Sequence, residues 1–230
     1  MTSRMKYNSL QISTYVINLP ERKDRREHIE KQFCDKPEFL LTIVPAETDA
    51  IGAIGLWKSI TKIIQFALTN TDDDVILICE DDHTFTKNYN KNDFFRYIFK
   101  GAEYDTQIIF GGIGGVHDMV HVYDSLYWID MVWCTQFIVI YRHAFQLILD
   151  APFSARDVAD EFLCKILSNK LVIWPFISIQ NEFGYSDVTN NNSKLGVITQ
   201  LFKEANRKFE RFNAIKKRLP KIGAGGIFRG

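Results

Sequence analysis

The stretch that most constrains this chain is Asp72-Asp73-Asp74-Val75-Ile76-Leu77-Ile78-Cys79-Glu80-Asp81-Asp82. Its unbroken apolar run, Val75 to Cys79, reads as a strand buried on both faces, the kind found in the middle of a parallel sheet. The run ends abruptly in carboxylates, and charge is tolerated only where a strand emerges at a rim. In open α/β sheets the rim at the carboxyl ends of the strands is where ligands bind. Side chains alternate along an extended chain, so Glu80 and Asp82 are expected on one side and Asp81 on the other. Two carboxylates facing one way repel each other unless a cation or a proton lies between them. For an oxygen-only site, Mg²⁺ or Mn²⁺ bridging a diphosphate is the usual cation. The competing view is a solvated acidic turn after a core strand.

Flanking segments supply the rest of such a sheet. Ile12 to Leu19 is an apolar run followed by a charged helix to about Cys34, in which Ile29 and Phe33 share a face. Phe39 to Val44 is a second strand, ended by Pro45, and Gly52 and Gly55 precede a helix from about Leu56 to Leu68. Up to Cys79 the order is β-α-β-α-β, the signature of a doubly wound parallel sheet. Further on, helices are predicted over Lys91–Tyr104, Arg142–Leu149 and Val158–Leu167, and strands over Thr106–Phe110, Trp133–Tyr141 and Leu171–Phe176. Gly111-Gly112-Ile113-Gly114-Gly115 lets backbone approach a ligand closely, but it is not a complete dinucleotide fingerprint. His117 and His121 fall in a segment without a helix signal and read as loop histidines.

Composition excludes several classes. At 230 residues and 46% hydrophobic, the chain can bury a core without staples. Its cysteines, Cys34, Cys79, Cys134 and Cys164, show no CxxC spacing and suit buried thiols in a reducing, cytoplasmic compartment. Met1 to Leu10 has no apolar core of a secretory leader, and no apolar run nears the roughly 20 residues that span a bilayer. The net charge of zero hides an asymmetry, because residues 194–230 carry ten Lys or Arg against two Glu. Arg22 and Arg25, just after the first strand, form either a fork for a diphosphate or a solvated, ion-paired helix face.

Four landmarks in order then resemble glycosyltransferase family 25, which includes lipooligosaccharide and collagen galactosyltransferases. They are Val16-Ile17-Asn18-Leu19 with Arg22 and Arg25; Gly52 with Gly55 and Ser59; the strand into Glu80-Asp81-Asp82; and Gln180 followed by Ser186-Asp187. The chain departs from the family at Ser59-Ile60, where members usually carry Ser-His, and at Glu47-Thr48-Asp49, where Val-Asp-Gly is frequent. The resemblance implies an α/β, GT-A-like fold, Rossmann-like, with a mostly parallel sheet flanked by helices. It also implies a nucleotide-sugar donor, a UDP-sugar first among them, and transfer to an acceptor hydroxyl with inversion. Glu80 and Asp82 would hold Mn²⁺ or Mg²⁺. Asn18, Leu19, Arg22, Arg25, Ala46, Gly55, Ser59, Asp81, Gln180, Ser186 and Asp187 would line the donor site. Such chemistry needs a general base on the face of the sugar opposite the diphosphate. Asp157, Asp160 and Glu161 are the available carboxylates, with Asp160 first, and plain helix capping is the alternative for all of them.

Residues 1–193 are expected to form the catalytic domain, and residues 194–230 a basic amphipathic helix with a Gly-rich tail. Ile198, Leu201, Phe202, Ala205, Phe209, Phe212 and Leu219 form the helix's apolar side. Leu195 to Phe212 are expected to dock on the body. Lys216, Lys217, Arg218 and Lys221 would then meet an anionic acceptor, either a membrane surface with the protein peripheral to it or a nucleic acid. The acceptor expected first is a cell-surface glycan or lipooligosaccharide. Transfer to hydroxymethylated DNA bases and a non-catalytic nucleotide- or glycan-binding domain of the same fold are the alternatives.

Overall fold

The computed structural model describes residues 7, 9–184 and 195–218. From Ile12 the chain alternates strand and helix: β1 (Ile12–Asn18), α1 (Lys23–Phe33), β2 (Phe39–Pro45), α2 (Gly52–Asn70) and β3 (Val75–Glu80). A short β4 (His83–Phe85) and α3 (Lys91–Glu103) follow, then β5 (Ile108–Phe110), β6 (Met119–Tyr123), β7 (Leu126–Ile129) and β8 (Phe137–Tyr141). A 3-10 turn over Arg142–Ala144 leads into α4 (Phe145–Leu149), α5 (Ala159–Ile166), β9 (Lys170–Ile173), β10 (Ser178–Gln180) and α6 (Val197–Arg218).

Eight strands form one sheet in the order β2-β1-β3-β8-β5-β9-β7-β6, and β10 pairs with β4 in a small second sheet. β3 sits third, parallel to β1 and antiparallel to β8. Following the pairings across the sheet, only β8 and β7 run against the other strands. The sheet is thus mainly parallel in direction and GT-A-like, with reversed strands breaking the purely parallel order that the first half of the sequence suggests. Alternation along β3 explains its apolar run. Ile76 and Ile78 enter the core shared with α2, α4, α5 and α6, while Leu77 and Cys79 enter the core shared with α1 and α3. Both faces are covered, so no position from Ile76 to Cys79 can be polar.

Local chemistry fixes the boundaries. Asn90 caps α3, its side chain accepting from the N–H groups of Asn92 and Asp93. The C-terminal end of α2 is held by Arg142, whose guanidinium donates to the carbonyls of Leu68 and Thr71 at 3.0 Å and of Asp73 at 3.2 Å. The strand expected from Trp133 begins only at Phe137, because Cys134 adopts φ 81° and turns the preceding residues out of the ladder. Likewise the strand expected to Phe176 ends at Ile173. The β6–β7 hairpin, turning at Asp124 with φ 45°, occupies the segment around His121 that reads as loop in the sequence.

α6 docks on the body. Ile198, Phe202, Ala205 and Phe209 are buried, and Phe209 meets Tyr127, Phe176 and Trp174 with ring centroids 5.2, 5.5 and 5.9 Å apart. Polar bonds fix its register: Tyr127 donates to Asn213 at 2.7 Å, Trp174 to Asn206 at 2.8 Å, and Lys208 to the carbonyl of Val116 at 2.6 Å. Lys216, Lys217 and Arg218 are exposed at its end. Leu219 and Lys221 lie outside the described residues. Among the described residues, no helix is long and apolar enough to cross a membrane.

Candidate active site

At the carboxyl end of β3 the chain turns, and its three carboxylates group differently from what strand alternation predicts. Asp81 and Asp82 share one cation: Arg25 Nη1 lies 3.0 Å from Asp81 Oδ1 and 3.4 Å from Asp82 Oδ2. Asn18 donates to Asp81 Oδ2 at 2.8 Å. Glu80 belongs instead to the neighbouring strand's approach, accepting from Thr135 Oγ1 at 2.7 Å. The β4–β10 pairing sets Gln180 opposite His83, so Gln180 Nε2 reaches Asp82 Oδ2 at 3.1 Å and Asn181 N–H donates to the Asp82 carbonyl at 2.7 Å. Alternation fails because β3 ends at Glu80, and Asp81 and Asp82 are already in the turn.

These groups wall a cleft of about 670 Å³ between the loop after β2, the N-terminal part of α2, the approach to β8, α5 and α6. Glu80 keeps part of its surface open to the cleft, yet burial lifts its carboxyl to about 7. The Thr135 hydroxyl opposes that rise, and the charges of Asp81 and Asp160 add to it. Asp82 is raised well above the usual range by burial and by its neighbours Glu80 and Asp81. Its Oδ1 is buried and has no hydrogen-bond partner among the described residues. Across the cleft, Asp160 Oδ2 accepts from Cys134 N–H at 2.9 Å and Oδ1 from Glu161 N–H at 2.8 Å. Burial still raises its carboxyl against those bonds.

The candidate residues separate into groups. Leu19, Arg25, Ala46, Gly55, Ser59, Asp81 and Gln180 line the cleft together with Glu80, Asp82, Asp160 and Glu161. Ser59 is fully buried and its hydroxyl is committed, accepting from Glu47 N–H at 2.8 Å and donating to the Gly55 carbonyl at 2.9 Å. Gly55 serves the same join, since a Cβ there would fall 2.7 Å from the Glu47 carbonyl oxygen. Both therefore shape the wall. Asn18 and Arg22 are not among the lining residues, and Asn18 acts through Asp81. Asp157 is also away from the lining, accepting from Ser154 N–H at 2.8 Å and Oγ at 2.6 Å. Those bonds close the turn ahead of α5, which begins at Ala159 with no side-chain cap, so of the three candidate bases Asp160 and Glu161 are the two that line the cleft. Ser186 and Asp187 lie outside the described residues.

Several lining residues carry no signal in the sequence. Thr135 and Cys134 sit in what reads as strand interior, and Phe183, stacked 5.0 Å from the Arg25 guanidinium, sits in an unmarked loop. Glu182 joins the cleft to α6, accepting from Ile198 N–H at 2.9 Å and Thr199 Oγ1 at 2.6 Å.

No protein-family model matches the chain, and no curated protein sequence matches it. Among solved structures, A197 from STIV is similar over 77% of this chain and 87% of its own, with a TM-score of 0.54 and 10% identity. A glycosyltransferase involved in glycosylation of the major capsid of PBCV-1 is similar over 72% and 82%, with a TM-score of 0.45 and 15% identity. An apo UDP-glucose pyrophosphorylase is similar over 90% and 82%, at 0.45 and 11% identity. Such likenesses speak to the fold alone.

Proposed function

We propose that the chain is a glycosyltransferase that moves a sugar from a nucleotide-sugar donor, a UDP-sugar first among them, to an acceptor hydroxyl with inversion. The observation that carries this reading is the buried acid cluster at the end of β3, in which Asp82 Oδ1 has no partner among the described residues and faces like charge. The cleft is lined by nine carboxylates and one basic side chain, Arg25, among the described residues. A diphosphate could approach only with compensating positive charge.

The donor set fits a hard divalent cation such as Mn²⁺ or Mg²⁺. Its ligands would be Glu80 and Asp82, with the rest of the shell left to water and phosphate oxygens. Among the described residues no group of three or more His, Cys, Asp or Glu is placed to hold a metal ion, so the protein would supply two carboxylates at most, and Mg²⁺-type sites commonly use only one or two. Bound there, the cation would supply Lewis-acid stabilisation of the departing diphosphate.

The chain's own residues do the rest. Thr135 and Gln180 fix the rotamers of Glu80 and Asp82, and Arg25 adds positive charge on the diphosphate side. Asp160 accepts the proton of the acceptor hydroxyl as the acceptor oxygen bonds to the anomeric carbon and the bond to the diphosphate breaks. Its raised carboxyl brings it nearer neutrality than an exposed aspartate, which improves a general base. Membership of glycosyltransferase family 25 is supported by the order of the four landmarks in the sequence. The test is turnover of UDP-, GDP- and CMP-sugars with and without Mn²⁺. Mn²⁺-dependent release of nucleotide from one donor class supports the reading, and none from any class removes it.

A further inference from the structure

The cleft has a second built wall that donor binding does not use. Trp133 lines it, as do Asp160, Glu161, Ile198 and Leu201, and is 36% exposed. What sets it apart from the other exposed apolar side chains is its place in the cleft lining. It is also held in place. A Cβ on Gly115 would fall 2.2 Å from Trp133 Cε3, so only glycine lets the indole lie against the chain there. Gly114 N–H donates to the Trp133 carbonyl at 2.8 Å. A Cβ on Gly114 would lie 2.9 Å from Cys134 Sγ and 3.5 Å from Leu201 Cβ, which brings α6 against the same loop. The next residue, Cys134, holds Asp160 through its N–H. Indole and candidate base are therefore set by adjacent residues of one rigid segment.

We infer that this wall is the acceptor subsite and that it takes the pyranose ring of a neutral saccharide, an inference that rests on the glycosyl-transfer reading. A pyranose offers a C–H face that packs on an indole and hydroxyls that donate to carboxylates. Glu161 is exposed at the rim and Asp160 lies deeper, so both are placed to accept those hydroxyls. A nucleic acid or a phosphorylated lipid would bring anions against the acid-rich lining. A long aliphatic acceptor would have to desolvate the same carboxylates.

The experiment uses the full chain with Mn²⁺ and whichever nucleotide sugar it turns over. The acceptors are methyl glycosides of glucose, galactose, mannose and N-acetylglucosamine, with a hydroxymethylated DNA oligonucleotide as the competing class. Trp133→Ala should raise the KM for the accepted methyl glycoside about tenfold, with the donor KM changing less than about twofold, and Trp133→Phe should stay within about threefold of wild type. Methyl glycoside titration should change the tryptophan fluorescence of the wild type and leave that of Trp133→Phe unchanged. If Trp133→Ala does not fold, the fluorescence comparison and the Trp133→Phe kinetics decide. Absence of any donor turnover by the wild type removes the glycosyl-transfer reading and this inference with it. Donor turnover with an unchanged acceptor KM in Trp133→Ala, with no glycoside-induced fluorescence change, or with DNA accepted and every glycoside refused, overturns the acceptor subsite alone.

Discussion

Asp160 shows how one side chain can serve structure and chemistry together. Both its oxygens accept backbone N–H bonds, so its rotamer is fixed, yet each oxygen keeps a lone pair for an acceptor hydroxyl. Asp160→Asn should lower kcat by about 10² to 10⁴ while the donor dissociation constant stays near wild type. A variant that melts earlier but turns over normally per folded molecule would return Asp160 to a capping role. At this scale the sequence is readable where charge interrupts an apolar run, which is why Glu80 and Asp82 stand out. It is silent at Thr135 and Cys134, because their part comes from a φ of 81° at Cys134 that no propensity announces. Ser59 misleads for the opposite reason, since a hydroxyl at a promising spacing is consumed by the Glu47 loop.

Elements are held by a few cross-links whose loss can be measured. Arg142 collects the last carbonyls of α2 from the start of the segment after β8, so Arg142→Met should destabilise the fold by about 1–3 kcal/mol in denaturant titration without altering the cleft. Phe209, fully buried among Tyr127, Trp174 and Phe176, should cost about 3–5 kcal/mol on truncation to alanine. An effect below about 1 kcal/mol would mean that α6 is not part of the folded body. Helix α6 was legible because its apolar spacing is sustained over many turns. The β6–β7 hairpin was not, since its strands are short, β6 is only partly buried and its turn uses Asp124 in place of a glycine.

Across the whole molecule, the carboxylate cluster couples stability to pH. Burial and the charges of Asp81 and Asp160 lift Glu80 from 4.5 to about 7 against Thr135 and Arg25, so between those values the folded state binds more protons than the unfolded one. The part of the metal-free protein's stability that depends on Glu80 should therefore fall as pH rises from about 4.5 to about 7, against an opposite contribution from buried His83, whose pKa is held well below the usual histidine value, and Mn²⁺ should recover the loss. Melting temperatures of wild type and Glu80→Gln in chelator across that range check the sign: wild type should lose stability relative to the variant as pH rises, and a relative gain would contradict it. The sheet's left half was legible from its βαβ order, whereas the reversal of β8 and β7 depends on long-range pairing that periodicity does not encode. The central claim, that the end of β3 holds a divalent cation and a nucleotide diphosphate, is tested most directly by calorimetric titration of UDP in Mn²⁺ into wild type and Asp82→Asn. The account predicts Mn²⁺-dependent binding by the wild type and its loss in the variant, which should stay folded and melt at or above wild type in chelator because one of several crowded charges is gone. Equal affinity in both proteins, with the same dependence on Mn²⁺, would contradict it.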